Sequence, residues 1–158
     1  MKRLLLIRHA KATHQTGFKD FERPLQESGL QDAAIMAARL KEKGFIPEIL
    51  ISSPALRTLS TANVFSQHLG IPQATTIDDI YEAHTPTLAR IINGFPVEHD
   101  FIALVGHNPG ISNLLYYLTG QIQDVPTCAM MLIELESTDW ASISSDAGKL
   151  VYYDYPKS

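Results

Sequence analysis

The chain has 158 residues, 45% hydrophobic and 19% charged, a composition that suits a globular domain and excludes a disordered one. Acidic residues number 17 against 13 basic ones, for a formal net charge of -4. This disfavours a broad nucleic-acid surface but permits a small cationic pocket, and the single cysteine, Cys128, leaves no internal disulfide and points to the cytoplasm.

The first element is the apolar run at 4–7, with no polar residue alternating against it, as in a central strand covered on both faces. At four residues it is too short for a secretory signal or a membrane span. Arg8 and His9 follow directly, then small Ala10, so a histidine stands at the strand's carboxyl end, where open α/β sheets place ligands. Residues 13–22 form a polar loop. Residues 30–43 carry apolar side chains near helical spacing and predict an amphipathic helix ended by Gly44. A second strand at 46–51 stops at Ser52-Ser53-Pro54. Ser53 is the expected cap and Pro54 the first helical position of a helix over 55–69, ended by Gly70. Arg57 falls in its first turn with Thr61 at i+4. A cation there opposes the helix dipole, which makes best sense when an anion is shared with it.

Residues 73–80 predict a short third strand or edge segment. A short helix over 87–93 follows, with Thr85 as cap, Pro86 at its start and Gly94 at its end. The strand at 100–105 repeats the opening pattern, since His107 follows its exit; Asn108 reads as the cap of the next helix, 111–118. Strands are then expected at 127–135, 140–143 and 150–155. In 127–135, Cys128 reads as a buried inert thiol. Strands separated by helices predict one three-layer α/β/α domain over 1–158, with a mostly parallel central sheet and an antiparallel pairing near the carboxyl terminus.

A parallel sheet gathers the carboxyl ends of its strands on one side, so His9, Arg57 and His107 can share a cleft. Two imidazoles and two guanidinium groups in an acidic protein describe an anion site. Phosphate matches it, because arginine presents a planar fork of donors to its oxygens and neutral imidazole is an adequate nucleophile toward phosphorus.

The motifs RHA at 8–10, SSPALRTLSTA at 52–62 and VGHNPGI at 105–111 resemble the histidine phosphatase superfamily, with its phosphoglycerate-mutase-like fold. The likeness runs from Lys2 to about Val151. Small size, Ala10 and RPLQESGLQDA at 23–33 look most like the SixA-type phosphohistidine phosphatases. The resemblance implies that His9 attacks phosphorus and carries a phosphohistidine intermediate. Arg8 and Arg57 would hold the nonbridging oxygens and His107 would stabilise charge on the transferred group.

Three further candidates are implied. Arg23 belongs near the phosphate on the resemblance, with a salt bridge to Asp20 as the alternative. Gln15 falls six residues after His9, where many mutase-like relatives carry an asparagine on phosphate. Glu82 is the local candidate for a general acid, with His84, Asp78 and Asp79 nearby. The extended acidic loop of relatives that cleave phosphomonoesters is missing. A phosphoramidate releases its imidazole more easily than an ester releases an alkoxide, so that deficit favours a histidine-phosphorylated phosphotransfer protein as substrate. The expected activity is therefore a metal-independent phosphatase, without cofactor, nucleic-acid or membrane partner. A small-molecule phosphomonoesterase and a non-catalytic phosphate-recognition module are the alternatives, and the oligomeric state stays open.

Overall fold

The computed structural model describes residues 1–157. Its elements in chain order are β1 (Lys2–Arg8), α1 (Glu27–Lys43), β2 (Ile49–Ser52), α2 (Leu56–Leu69), β3 (Thr75–Thr76), α3 (Thr85–Asn93), β4 (Phe101–Gly106), α4 (Gly110–Thr119), β5 (Met130–Leu135) and β6 (Gly148–Asp154). Short 3-10 turns occupy Asp20–Glu22 and Asp78–Ile80. The six strands form one sheet in the order β3-β2-β4-β1-β5-β6. β3, β2, β4 and β1 pair in parallel; β5 runs antiparallel to both β1 and β6.

The reason β1 is apolar without alternation lies in its central place. Leu4 and Leu6 enter one core with Leu88, Ile92, Leu114 and Leu118 from α3 and α4. Leu5 and Ile7 enter the other with Met36, Leu40 and Phe65 from α1 and α2. All four strand residues are fully buried, each worth about 1.5–3 kcal/mol relative to exposure. This is the expected α/β/α sandwich, with β1 at the centre of its sheet. Among the described residues no helix is long and apolar enough to cross a membrane.

Several boundaries differ from expectation for local reasons. α1 begins at Glu27, three residues before the periodic pattern does. Its Gly29 lies against the loop after β1, where a Cβ would collide with the Lys11 carbonyl oxygen. α2 begins at Leu56 with Ala55 as its cap residue, so Pro54 precedes the helix; the Ser53 hydroxyl accepts the Ala55 N–H at 3.3 Å. Helix α3 begins at Thr85 with His84 as the cap residue, and no side chain caps it. Residues 140–143 are not a strand. Their carbonyls at Trp140 and Ile143 accept hydrogen bonds from the Asn93 amide, both at 2.9 Å, and the indole N–H of buried Trp140 donates to the His99 carbonyl at 2.8 Å. With the apolar ring plugging the core and the backbone claimed by a side chain, no sheet edge is available to this segment. β5 starts at Met130 because Cys128, at φ 63°, turns the chain into the ladder there.

Candidate active site

His9 leaves β1 pinned on both sides. Its N–H donates to the Gly106 carbonyl at the end of β4, at 3.1 Å, and its own carbonyl accepts from the Cys128 N–H at 3.0 Å. The ring is 8% exposed. Its Nδ1 lies 2.8 Å from the Ala10 carbonyl oxygen. A carbonyl only accepts, so the proton of the neutral ring sits on Nδ1 and the lone pair is left on Nε2. Burial above all, with Arg57, Arg8 and Arg23 adding to it, pushes the imidazole pKa down to about 4; the Ala10 carbonyl opposes this in part. At neutral pH the ring is uncharged, as a nucleophile must be.

His107 follows β4 and faces His9, with ring centroids 5.5 Å apart. Its Nε2 is 2.8 Å from the Ser53 hydroxyl, while Nδ1 is buried without a partner. The Ser53 hydroxyl, which also accepts the Ala55 N–H, can donate to this Nε2 or accept from it, and donation is what puts the ring's own proton on Nδ1. Burial first, then the charge of Arg57, lowers this pKa to about 3.

The arginines come from three segments. Arg8 donates from Nη1 to the Val125 carbonyl at 2.9 Å, and its buried Nε has no partner. Burial lowers its pKa, with Asp124 opposing. Arg57, in the first turn of α2, donates from Nη1 to the Asp20 carbonyl at 2.7 Å and from Nη2 to the Asp20 carboxylate at 3.0 Å; its buried Nε is likewise unpartnered. Thr61, one turn further along α2, locks this helix to the strand exit. Its hydroxyl accepts the Ala10 N–H at 3.0 Å and donates to the Arg57 carbonyl at 2.8 Å. Three buried nitrogens, Arg8 Nε, Arg57 Nε and His107 Nδ1, thus lack partners beside one neutral imidazole. A buried donor left unpaired costs about 1–3 kcal/mol, so this set suits an anion. Among the described residues no three His, Cys, Asp or Glu side chains cluster in a way that could hold a metal ion.

Arg8, His9, Arg23, Arg57 and His107 line one cavity of about 710 Å³. Arg23 borders the cavity and also bridges to Asp20 at 3.1 Å, its Nε donating to the Thr13 carbonyl at 2.8 Å. Gln15 is not brought in. Its side chain is exposed and outside the cavity lining, because the Thr13 N–H pairs with the Pro24 carbonyl and the Thr13 hydroxyl accepts the Gln15 N–H, turning the chain away. Glu82, at φ 57°, borders a separate hollow of about 320 Å³ that shares Arg57, His107 and Asn108 with the main cavity. Asn108 caps α4 as expected, its Oδ1 accepting from the Ser112 N–H at 3.2 Å and hydroxyl at 2.9 Å. Cys128 is buried, and burial pushes its thiol pKa up, away from reactivity.

Sequence reasoning missed three members of this constellation. Asp20 entered only as a partner for Arg23, yet it also holds Arg57. Ser53 reads as a helix cap, and its hydroxyl both accepts the Ala55 N–H and holds His107. Tyr81 donates its phenol to Asp20 at 2.6 Å and meets the His107 ring edge-on at 5.5 Å. The one signal available was the i,i+3 spacing of Asp20 and Arg23.

The two depressed imidazoles carry a stability consequence. The unfolded chain takes up protons near pH 6.5, but the folded chain resists until about pH 4 at His9 and about pH 3 at His107. Stability is therefore full above pH 6.5 and is lost as pH falls toward 4, by roughly 3 kcal/mol from His9 alone at about 1.4 kcal/mol per pKa unit. Thermal melting from pH 7 to pH 4 should show this decline, and the His107→Asn variant should show a shallower one. Equal pH slopes in the two proteins would refute the assignment of His107 as a buried neutral ring.

Comparison with known proteins agrees with this geometry. Residues 4–89 match the family model described as histidine phosphatase superfamily, branch 1. The Agrobacterium tumefaciens protein described as the phosphohistidine phosphatase SixA superposes with a TM-score of 0.84 at 26% identity, covering 98% of each chain. A protein histidine phosphatase SixA solved with tungstate has a TM-score of 0.85 at 21% identity, over 98% of this chain and 97% of that one, which speaks to the fold. An uncharacterised chloroplast protein of Arabidopsis thaliana is 27% identical over 88% of this chain and 69% of its own length. The matched segment carries His9 and Arg57 and more than half of the chain, and on that match, with a fold of the SixA type, the chain belongs to the histidine phosphatase superfamily.

Proposed function

We propose that the protein is a metal-independent phosphohistidine phosphatase, a single domain over residues 1–158 that removes phosphate from a histidine of a phosphotransfer protein in the cytoplasm. The observation that supports this most is the set of three unpartnered buried nitrogens on Arg8, Arg57 and His107, which line one cavity with His9, whose Nε2 keeps its lone pair. In the proposed step, His9 Nε2 forms a bond to phosphorus as the bond from phosphorus to the substrate imidazole breaks. The electron pair leaves with that imidazole, which takes a proton from solvent. Arg8 and Arg57 hold the nonbridging oxygens, and the Nδ1–H of His107 donates to the transferring group. Water then attacks phosphorus, releasing inorganic phosphate and restoring His9. The work of these donors is electrostatic preorganisation toward charge that develops in the transition state.

A second reading, hydrolysis of a small phosphate ester, draws on Glu82 in the hollow that shares Arg57 and His107. An alkoxide leaving group needs a proton in the transition state, worth typically ~10²–10⁴-fold in rate, whereas a phosphoramidate needs it less. Steady-state rates on a phosphohistidine protein and on a panel of phosphate esters, for the wild type and Glu82→Gln, distinguish the two. The phosphohistidine reading expects rapid protein dephosphorylation, slow ester turnover, and a Glu82→Gln effect on phosphohistidine below about threefold, against the ~10²-fold expected of a lost general acid. Fast ester turnover that depends on Glu82 would replace it with the second reading. Phosphate-dependent binding with no turnover of either class would make the chain a recognition module.

A further inference from the structure

The loop between β1 and α1 is zipped at its base. Ala12 bridges Leu25, the Thr13 N–H donates to the Pro24 carbonyl at 2.9 Å, and the Gln26 N–H donates to the Lys11 carbonyl at 2.9 Å. At the tip, Asp20 gathers groups from three segments. Its Oδ1 accepts from Arg23 Nη1 at 3.1 Å, and its Oδ2 accepts from Arg57 Nη2 at 3.0 Å and from the Tyr81 phenol at 2.6 Å. Its carbonyl takes Arg57 Nη1 at 2.7 Å.

We propose that Asp20 is a positioning residue for the phosphoryl site: it grips the Nη1–Nη2 end of Arg57, turns the Nε side of that guanidinium to the anion, and steadies Arg23 and Tyr81 around it. The inference rests on the phosphatase reading. A guanidinium has five N–H donors in a fixed plane, so fixing one edge fixes the direction of the others. With Asp20 taking one proton from each Nη, the unpartnered Nε–H and the second proton on each Nη are what Arg57 has left to offer a ligand. The Tyr81 ring, held by the same carboxylate, packs its edge on the His107 ring at 5.5 Å, which extends the brace to the second imidazole. The Tyr81 and arginine hydrogen bonds hold the Asp20 carboxyl down at about 2. It is therefore charged at any working pH and has no proton to give, which separates it from a general acid.

Two effects of this carboxylate have opposite signs. Its negative charge repels a bound oxyanion, whereas its grip on Arg57 preorganises the site. A positioning role means that the second dominates. The test compares wild type, Asp20→Ala, Asp20→Asn and the loop control Glu22→Ala by calorimetric tungstate binding, by kcat and KM on a phosphohistidine protein, and by thermal melting. Asp20→Ala is expected to lose about 10- to 100-fold in kcat, the scale of a misplaced catalytic group, and to bind tungstate about tenfold more weakly. Asp20→Asn keeps an oxygen acceptor and is expected to recover part of both losses, while Glu22→Ala matches wild type. Should Asp20→Ala fold poorly, Asp20→Asn alone carries the test, with an intermediate loss of kcat at an unchanged melting temperature.

Wild-type kcat and tungstate affinity in the variants would overturn the proposal. So would tighter tungstate binding with kcat intact, which would make Asp20 a competitor for Arg57. If the wild type binds tungstate yet turns over no phosphorylated substrate, the phosphatase reading fails while the tungstate series still decides the role of Asp20. A wild type that binds no tungstate overturns both.

Discussion

Replacing His9 with alanine is expected to lower turnover by about 10⁴- to 10⁶-fold, the loss typical of removing a nucleophile, while tungstate binding persists. The side chain is buried to 8% exposure and its Nδ1 proton is committed to the Ala10 carbonyl, so Nε2 alone can attack. The binding donors come from elsewhere: Arg8, Arg57 and His107 keep their unpartnered nitrogens in the variant. Rapid quench with labelled phosphohistidine protein provides the check. Wild type should yield an acid-labile, alkali-stable phosphoenzyme, and His9→Ala should yield none. A labelled phosphoenzyme in the variant would assign the covalent step to another side chain.

The second large effect is expected at His107. Converting it to alanine should reduce kcat by about 10²- to 10³-fold, or ~2.7–4 kcal/mol, as for loss of one preorganised donor. The ring is held by the Ser53 hydroxyl at 2.8 Å and packed by Tyr81, which fixes Nδ1 as the nitrogen left for the transferring group. KM should change much less than kcat, because this donor acts on charge that grows between ground state and transition state. Kinetics on the phosphohistidine protein measure both parameters. A fall confined to KM would place His107 in ground-state binding, and a kcat within threefold of wild type would remove it from the chemistry.

Much of the fold was legible because its signals are local. The unbroken apolar run at 4–7 announced a strand covered on both faces, and β1 does feed both cores. Gly44 and Gly70 marked the ends of α1 and α2, where the chain adopts φ 73° and 68°. The sequence misled where a residue's partner lies far along the chain. Ser53 has the composition of a cap, but its hydroxyl is shared with a ring 54 positions away. Residues 140–143 read as a strand, but Asn93 takes the Trp140 and Ile143 carbonyls. Gln15 has a plausible spacing from His9, but a turn at Thr13 directs it to solvent.

By itself, the sequence determined the α/β/α architecture and that His9, Arg57 and His107 each follow a separate strand, since hydrophobic period, turn chemistry and strand-exit position are properties of short stretches. Only the tertiary structure decided how those groups are arranged. The parallel pairing of β1 with β4 sets the two imidazoles 5.5 Å apart, and burial above all, with the charges of Arg57 and Arg8 adding to it, keeps both uncharged. The Asp20 grip on Arg57 spans 37 positions and Tyr81 reaches Asp20 across 61. Contacts of that separation depend on how the layers pack, which no local pattern encodes.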